Sequence, residues 1–227
     1  MVVYDFKNVV KLKKLKNSEK VLPKHAEKIS DISNGLFKEF KYSSYKDTPP
    51  YPNESIRTLQ ELIKMVGANP NDEFIYSMDR ITESFEKLCS ELEIPFDETK
   101  IEEILEEASG VILDLKYHFN RPRPLMVAEL YGLDLEENEL HIDTKDSPSF
   151  PSGHATQGTL IANYLANKHP NHSIRLKKLG RDIGKSRVIA KVHYPSDIVV
   201  GERLGNDMFQ HLKENNLLWK NTLYKNN

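Results

Sequence analysis

Cysteine and tryptophan are almost absent from this sequence, which has one of each, Cys89 and Trp219, among 227 residues. A single cysteine excludes an intramolecular disulfide, so stability has to come from a packed core. Cys89 falls within a helical pattern, and we interpret it as an ordinary buried thiol. Long apolar runs are missing as well, because no stretch approaches the ~18 consecutive apolar residues of a membrane-spanning helix.

An excess of charge of either sign is also lacking. The 32 Lys and Arg residues nearly balance the 34 Asp and Glu residues, which gives a formal net charge of -2. This balance argues against a protein that binds nucleic acid through bulk charge, and we expect no nucleic-acid partner. The lysine-rich start lacks an apolar stretch followed by small residues, so no signal peptide is expected. The prediction is a cytoplasmic or otherwise soluble protein, with a periplasmic location left open.

Strand signals are few, since the sequence shows no sustained alternation of apolar and polar residues. Apolar residues recur instead at helical spacing, with capping residues before them. The pattern predicts an all-α fold, a helical bundle in which side chains from facing helices converge on one site. The predicted helices cover residues 53–67, 71–95, 97–119, 152–168, 174–191 and 196–215.

The domain organisation follows from the same pattern. Residues 1–52 start lysine-rich and end in a turn-rich segment, which predicts an irregular arm before one helical domain at 53–227. Residues 131–150 are polar without a clear period, which predicts a long surface loop near the site. The first helix of the domain is expected to bury the apolar residues that share one face, namely Ile56, Leu59, Leu62, Ile63 and Val66.

Three clusters concentrate the residue types that hold and transfer a phosphoryl group. The first contains Lys116 and Arg123 at the end of the helix predicted over 97–119. Either two further helical turns or a chain break at the neighbouring prolines would aim both cations at one anion. Arginine offers a planar fork to two phosphate oxygens, and lysine supplies a compact charge.

The second cluster, Ser152, Gly153 and His154, begins a helix. Gly153 lets the backbone approach a ligand closely, and the amides at a helix N-terminus form a ready anion site. Ser152 adds a hydroxyl donor, and His154 supplies an acid or a base beside it.

The third cluster contains Arg187, His193 and Asp197. Arg187 is a third cation for the same anion. Asp197, four positions beyond His193, can accept the Nδ1 proton of that imidazole and leave Nε2 as a nucleophile.

Taken together, these clusters resemble the type 2 phosphatidic acid phosphatase (PAP2) superfamily, which includes the vanadium haloperoxidases. The resemblance runs from Lys116 to Asp197, and the segment from Lys116 to Pro124 is also similar to bacterial class A non-specific acid phosphatases. The matched residues are Lys116, Arg123, Pro124, Pro151, Ser152, Gly153, His154, Ser186, Arg187, His193 and Asp197.

The resemblance implies a PAP2-type helical bundle and a metal-independent acid phosphatase that acts on a small phosphorylated substrate without a cofactor. It implies that His193 attacks phosphorus while Asp197 orients it, and that His154 protonates the leaving oxygen before activating water. Lys116, Arg123 and Arg187 would hold the phosphate oxygens.

Two other functions remain open from the sequence. One is a vanadate-dependent haloperoxidase, which uses the same anion pocket with vanadate bonded to His193. The other is a phosphate-binding module without catalysis. Oligomeric state is also open, because Leu217, Leu218 and Trp219 can either dock the chain's end on the bundle or form a contact in a homo-oligomer.

Overall fold

The computed structural model describes residues 6–67, 71–135 and 146–218, and over these residues the chain is helical with no β-strand. The all-α prediction is confirmed. The helices in chain order are α1 (Phe6–Lys14), α2 (Pro23–Ser30), α3 (Ser43–Lys46), α4 (Ile56–Val66), α5 (Asp72–Asp79), α6 (Ile81–Glu91), α7 (Glu98–Phe119), α8 (Pro124–Tyr131), α9 (Gly153–Lys168), α10 (Ser173–Ile189) and α11 (Pro195–Glu214), with short 3-10 turns at Asp31–Asn34 and Pro170–His172.

Close contact between helix backbones fixes α9 against α10 and α11. A Cβ on Gly180 of α10 would lie 2.7 Å from the backbone oxygen of Gly158, and a Cβ on Gly205 of α11 would collide with that of Thr156. Further along α10, Gly184 faces Ala155, which precedes Gly158 in α9, so these two helices are antiparallel. In α11, Gly201 faces Ser152 and Gly205 faces Thr156, so α11 runs parallel to α9. The C-terminus of α10 and the N-termini of α9 and α11 therefore meet at one end of the bundle.

Helix α7 completes this arrangement and matches the helix predicted over 97–119. Asp97 caps its start by accepting a hydrogen bond from the Lys100 amide at 3.1 Å, and Asn120 ends it in the left-handed conformation, with φ of 50°. The buried face of α7 packs in the main core, and its fully buried residues include Ile101, Ile104, Ala108, Val111 and Leu115.

The described part of residues 1–52 is not an irregular arm, so that prediction is wrong. It contains α1, α2 and α3, and it buries Leu12, Phe37 and Tyr45. The side chain of Asn120 holds the segment by hydrogen bonds to both the amide and the carbonyl of Ser18, at 3.1 and 2.6 Å. Burial of these apolar residues favours an ordered segment, although its lysines and prolines give the sequence the pattern of an irregular arm. The domain boundary at residue 52 stays a prediction.

Helix α4 forms where expected, with Ser55 as its cap, but it buries only part of the predicted face. Ile56 and Ile63 are 68% and 50% exposed, while Thr58, Leu62 and Met65 are buried. The rotation has a polar cause, because Glu61 turns inward to pair with Arg121.

The helix predicted over 71–95 is two helices, since the chain breaks at Arg80 with ψ of 93°. The Ser84 hydroxyl lies at the break and shares its one hydrogen between the carbonyls of Ser77 and Arg80, at 2.6 and 2.7 Å.

The surface-loop prediction for residues 131–150 is corrected at both ends. Tyr131 ends α8, a helix that the sequence analysis missed, and residues 147–150 are buried rather than exposed. Residues 136–145, like Trp219, lie outside the described residues.

Candidate active site

A cavity of about 300 Å³ opens at the end of the bundle where the three helix termini meet. Five of the eight predicted site residues line it: Lys116, Arg123, Gly153, His154 and His193. The other three, Ser152, Arg187 and Asp197, are fully buried directly behind the lining. Helix α2 contributes part of the cavity mouth through Lys24, which forms an ion pair with Asp146 at 2.8 Å.

The end of α7 aims Lys116 and Arg123 at the same cavity. After Asn120 the chain has no regular structure until Pro124 starts α8, and both Lys116 and Arg123 line the cavity. Lys116 Nζ donates to the carbonyl of Pro148 at 2.6 Å, and Arg123 Nε donates to that of Ser147 at 2.9 Å. Backbone carbonyls therefore aim both cations.

Burial and mutual repulsion destabilise these charges. Burial is the main cause that lowers the pKa of Lys116 well below 10.5, and the charge of Arg123 adds to it. Burial likewise lowers the pKa of Arg123 to about 10. An anion in the cavity would relieve both effects, because an opposite charge favours the protonated form.

The turn between α10 and α11 positions His193. Lys191 reverses the chain with φ of 60°, and His193 follows, almost fully buried. Asp197 Oδ2 accepts hydrogen bonds from His193 Nδ1 at 3.2 Å and from the Tyr194 amide at 3.0 Å. One carboxylate thus caps α11 and contacts the imidazole, as the i, i+4 spacing predicts.

The partners of His193 define its tautomer. A carboxylate oxygen only accepts, so Nδ1 carries the hydrogen, and Arg123 Nη1 donates to Nε2 at 2.9 Å. Burial is the largest cause that lowers the pKa of His193 well below 6.5, followed by the charge of Arg123, while the hydrogen bond to Asp197 opposes them. The imidazole is therefore neutral, and its Nε2 lone pair accepts the hydrogen bond from Arg123 at the cavity wall.

The Ser152–His154 cluster forms the start of α9, as predicted. Ser152 Oγ accepts a hydrogen bond from the Ala155 amide at 3.3 Å, which is an N-cap, and its hydroxyl hydrogen is left to donate. The Ser152 amide donates to the carbonyl of Asp197 at 3.1 Å, so the starts of α9 and α11 are tied together. Gly153 and His154 line the cavity beside this helix N-terminus.

Asp79 is a site residue that sequence reasoning missed. Its Oδ1 accepts hydrogen bonds from Arg187 Nη1 at 2.6 Å and His154 Nε2 at 3.2 Å, and its backbone oxygen lies 3.0 Å from the same Nε2. Because both acceptors are oxygens, His154 carries its hydrogen on Nε2 and leaves Nδ1 for a ligand. The break at Arg80 that exposes this carbonyl has no glycine or proline to signal it.

The described residues contain neither a metal-binding cluster nor a membrane-spanning helix. No group of three or more His, Cys, Asp or Glu side chains within them is placed to hold a metal ion. Their helices are also too short or too polar to cross a bilayer.

The part of the chain that forms most of the cavity is similar to a known protein family. Residues 104–206 match the model of the PAP2 superfamily. The resemblance predicted from the sequence is confirmed. The matched segment contains all eight predicted site residues but neither Asp79 nor the N-terminal helices.

Two curated relatives of this chain are named acid phosphatases. The "Non-specific acid phosphatase" of Salmonella typhimurium is 32% identical over 98 residues, which cover 43% of this chain and 38% of that protein. The "Acid phosphatase" of Zymomonas mobilis is 38% identical over 86 residues, or 38% of this chain and 31% of that protein. The alignments therefore span less than two-fifths of these relatives. A solved bacterial vanadium-dependent iodoperoxidase aligns with a TM-score of 0.45 and 16% identity, covering 91% of this chain and 53% of that one.

Proposed function

We propose that this chain is an acid phosphatase that hydrolyses phosphomonoesters through a phosphohistidine on His193. The observation that carries the proposal is the environment of this imidazole: Nδ1 donates to Asp197 at 3.2 Å, and Nε2 lies 2.9 Å from Arg123 Nη1 in a cationic cavity. Acid phosphatases among the curated relatives of this chain support the reaction class.

Binding places the phosphoryl group among the cations. Lys116 and Arg123 face its oxygens from the end of α7, and the amides at the start of α9 face it from the other side. The guanidinium of Arg187 is paired with Asp79, and it binds the phosphoryl group from beneath when it turns partly or wholly away from that carboxylate. Phosphoryl transfer depends mainly on such positioning and charge stabilisation.

Transfer then proceeds in two steps. In the first step, Arg123 Nη1 turns from His193 Nε2 to a phosphate oxygen, and Nε2 forms a bond to phosphorus as the bond to the ester oxygen breaks. His154 Nδ1 gives the ester oxygen its proton. In the second step, water gives a proton to His154 and attacks phosphorus, which releases phosphate and restores neutral His193. The carboxylate of Asp197 stabilises the imidazolium character that develops in between.

An acid optimum follows from the state of His154. Burial, followed by the charge of Arg187, lowers its pKa below 6.5, so the free protein holds it neutral near pH 7. A bound phosphate dianion raises that pKa by adding negative charge nearby. Mildly acid solution completes the protonation that the first step needs.

The first experiment is hydrolysis of p-nitrophenyl phosphate between about pH 4 and 8 by the full chain and its His193→Ala variant. We expect turnover in the wild type, none in the variant, and inhibition by orthovanadate. Rapid quenching into alkali and mass spectrometry should find the phosphoryl group on the peptide that contains His193. His172→Ala, at the opposite end of α9, is the matched control and should keep wild-type turnover.

Several results would overturn the proposal. Undiminished turnover in His193→Ala contradicts the nucleophile. Loss of activity with EDTA that zinc restores contradicts metal independence, which is otherwise expected. Phosphate binding without turnover favours a binding module, and halide oxidation only after addition of vanadate and peroxide favours a haloperoxidase.

A further inference from the structure

Arg121 contacts the side of Asp197 that faces away from the imidazole. Its Nη1 donates to Asp197 Oδ1 at 2.5 Å, whereas Asp197 Oδ2 is the oxygen that accepts from His193. Arg121 is 2% exposed and does not line the cavity. The two arginines of the segment after α7 therefore differ in role, since Arg123 faces the ligand space and Arg121 faces the carboxylate behind it.

Glu61 holds the other edge of the Arg121 guanidinium. Glu61 Oε2 accepts from Arg121 Nη2 at 3.3 Å and from the Ser196 hydroxyl at 3.0 Å. Glu61 Oε1 accepts from the Ser196 amide at 2.7 Å, at the second residue of α11. The inward rotation of α4 thus ties this helix to the start of α11.

The ring of Tyr194 covers one face of the same guanidinium, with the Arg121 Cζ atom 3.7 Å from the ring centroid. Tyr194 is itself fully buried. Two carboxylates, the Ser196 hydroxyl and the aromatic face of Tyr194 fix the orientation of Arg121. The guanidinium lies where solvent does not reach it.

Arg121 supplies the positive charge that keeps Asp197 ionised. Burial of Asp197 favours its neutral form, and the charge of Arg121 is the largest of the effects that outweigh burial and lower its pKa to about 2. The titratable and charged groups that face Asp197 directly or through Arg121 are Arg121, His193, Tyr194, Glu61, Lys116 and Arg123.

We infer that Arg121 and Glu61 are positioning residues of the proposed reaction, which keep Asp197 ionised and oriented so that His193 presents Nε2 as its unprotonated nitrogen. The inference rests on the proposed function for its kinetic consequences. The tautomer itself is a property of the free protein. A neutral Asp197 can donate to Nδ1, and the imidazole would then carry its hydrogen on Nε2 and lose its nucleophile.

The experiment compares Arg121→Met, Arg121→Lys and Glu61→Gln with the full-length wild type. Nitrogen-15 NMR of the histidine side chains reports which ring nitrogen of His193 is protonated, with its signals assigned by their loss in His193→Gln. Arg57→Met is the matched control, because Arg57 stacks on Tyr51 from the exposed face of the same helix as Glu61.

We expect the wild type and Arg57→Met to hold the hydrogen of His193 on Nδ1 across the pH range of the activity profile, and Arg121→Met to move it to Nε2 where the pH falls below its raised acid limb. With p-nitrophenyl phosphate, kcat of Arg121→Met should fall roughly 10–100-fold with little change in KM. The acid limb of its pH profile should rise by about 1–3 units, because the largest of the effects that oppose the burial of Asp197 is then lost. Arg121→Lys should restore the acid limb and part of kcat, and Glu61→Gln should lower kcat by a smaller factor.

The outcomes separate this inference from the proposed function. A wild type without turnover defeats the proposed function, while the NMR comparison still decides the inference. Wild-type tautomer and wild-type pH profile in a folded Arg121→Met would overturn it. If that variant does not fold, the same wild-type behaviour in both Arg121→Lys and Glu61→Gln would overturn it instead.

Discussion

Asp79 Oδ1 lies 2.6 Å from Arg187 Nη1, and this ion pair joins the end of α5 to the last turn of α10 beneath the cavity. The same carboxylate oxygen reaches His154 Nε2 at 3.2 Å. A residue outside the matched PAP2 segment therefore acts electrostatically on the histidine to which we assign proton transfer.

Asp79→Asn should move the basic limb of the kcat/KM profile to lower pH by about one unit. The sign follows from the charges around His154: burial and Arg187 lower its pKa, and Asp79 raises it, so the loss of the carboxylate lowers it further. The protonated form is then lost at lower pH. Asp47→Asn, at an exposed helix end, is the control, and an unmoved basic limb in Asp79→Asn would contradict the role of Asp79.

His154→Ala should discriminate between leaving groups. An alkyl phosphate such as glycerol phosphate leaves as a strongly basic alkoxide and needs the proton, so its kcat should fall by roughly 10²–10⁴. Nitrophenolate leaves without a proton, and the loss with p-nitrophenyl phosphate should be clearly smaller. Equal losses on the two substrates would show that His154 does not act as the general acid. Inhibition by phosphate should persist in the variant.

Acid should destabilise the fold below about pH 6.5. His154 and His193 are buried with lowered pKa values, so the unfolded chain binds their protons first and the free energy of unfolding falls as the pH drops below 6.5. Each contributes up to about 1.4 kcal/mol per pH unit in that range. Asp197, with its pKa of about 2, adds a loss only between about pH 3.8 and 2.

Urea unfolding between pH 5 and 7 tests this prediction. In His193→Gln, the slope of the free energy of unfolding against pH should fall by the equivalent of about one bound proton. His172→Gln, at the far end of α9, is the control. A slope in His193→Gln as steep as that of the wild type would refute the assignment.

Gly205→Ala should lower the free energy of unfolding by roughly 1–3 kcal/mol, because the new Cβ collides with the backbone of α9 at Thr156. Gly67→Ala is the matched control. A Cβ there meets nothing closer than 4.0 Å and the φ of -80° suits alanine, so the change should be within about 0.5 kcal/mol of neutral. Thermal or urea unfolding of the two variants checks the prediction, which fails if both behave alike.

Local pattern was enough to predict much of the site. Lys116 and Arg123 flank a helix end, Ser152 caps a helix, and His193 and Asp197 share an i, i+4 contact, all of which depend on neighbours in sequence. For the same reason the bounds of α7, α9, α10 and α11 were predicted closely. Their apolar periodicity and caps are local properties of the chain.

Long-range contacts decided the rest. The carboxylate of Asp79 meets Arg187 across more than a hundred residues, and Glu61 meets Arg121 across sixty. Glu61 lies inward on α4 and gives the buried Arg121 a second carboxylate besides Asp197, while Ile56 and Ile63 stay exposed. The sequence by itself was enough to name the residues to which we assign the proposed chemistry. Only the tertiary structure decided which carboxylates set their charges, since electrostatic partners in a buried site are chosen by proximity in space and leave no periodic trace along the chain.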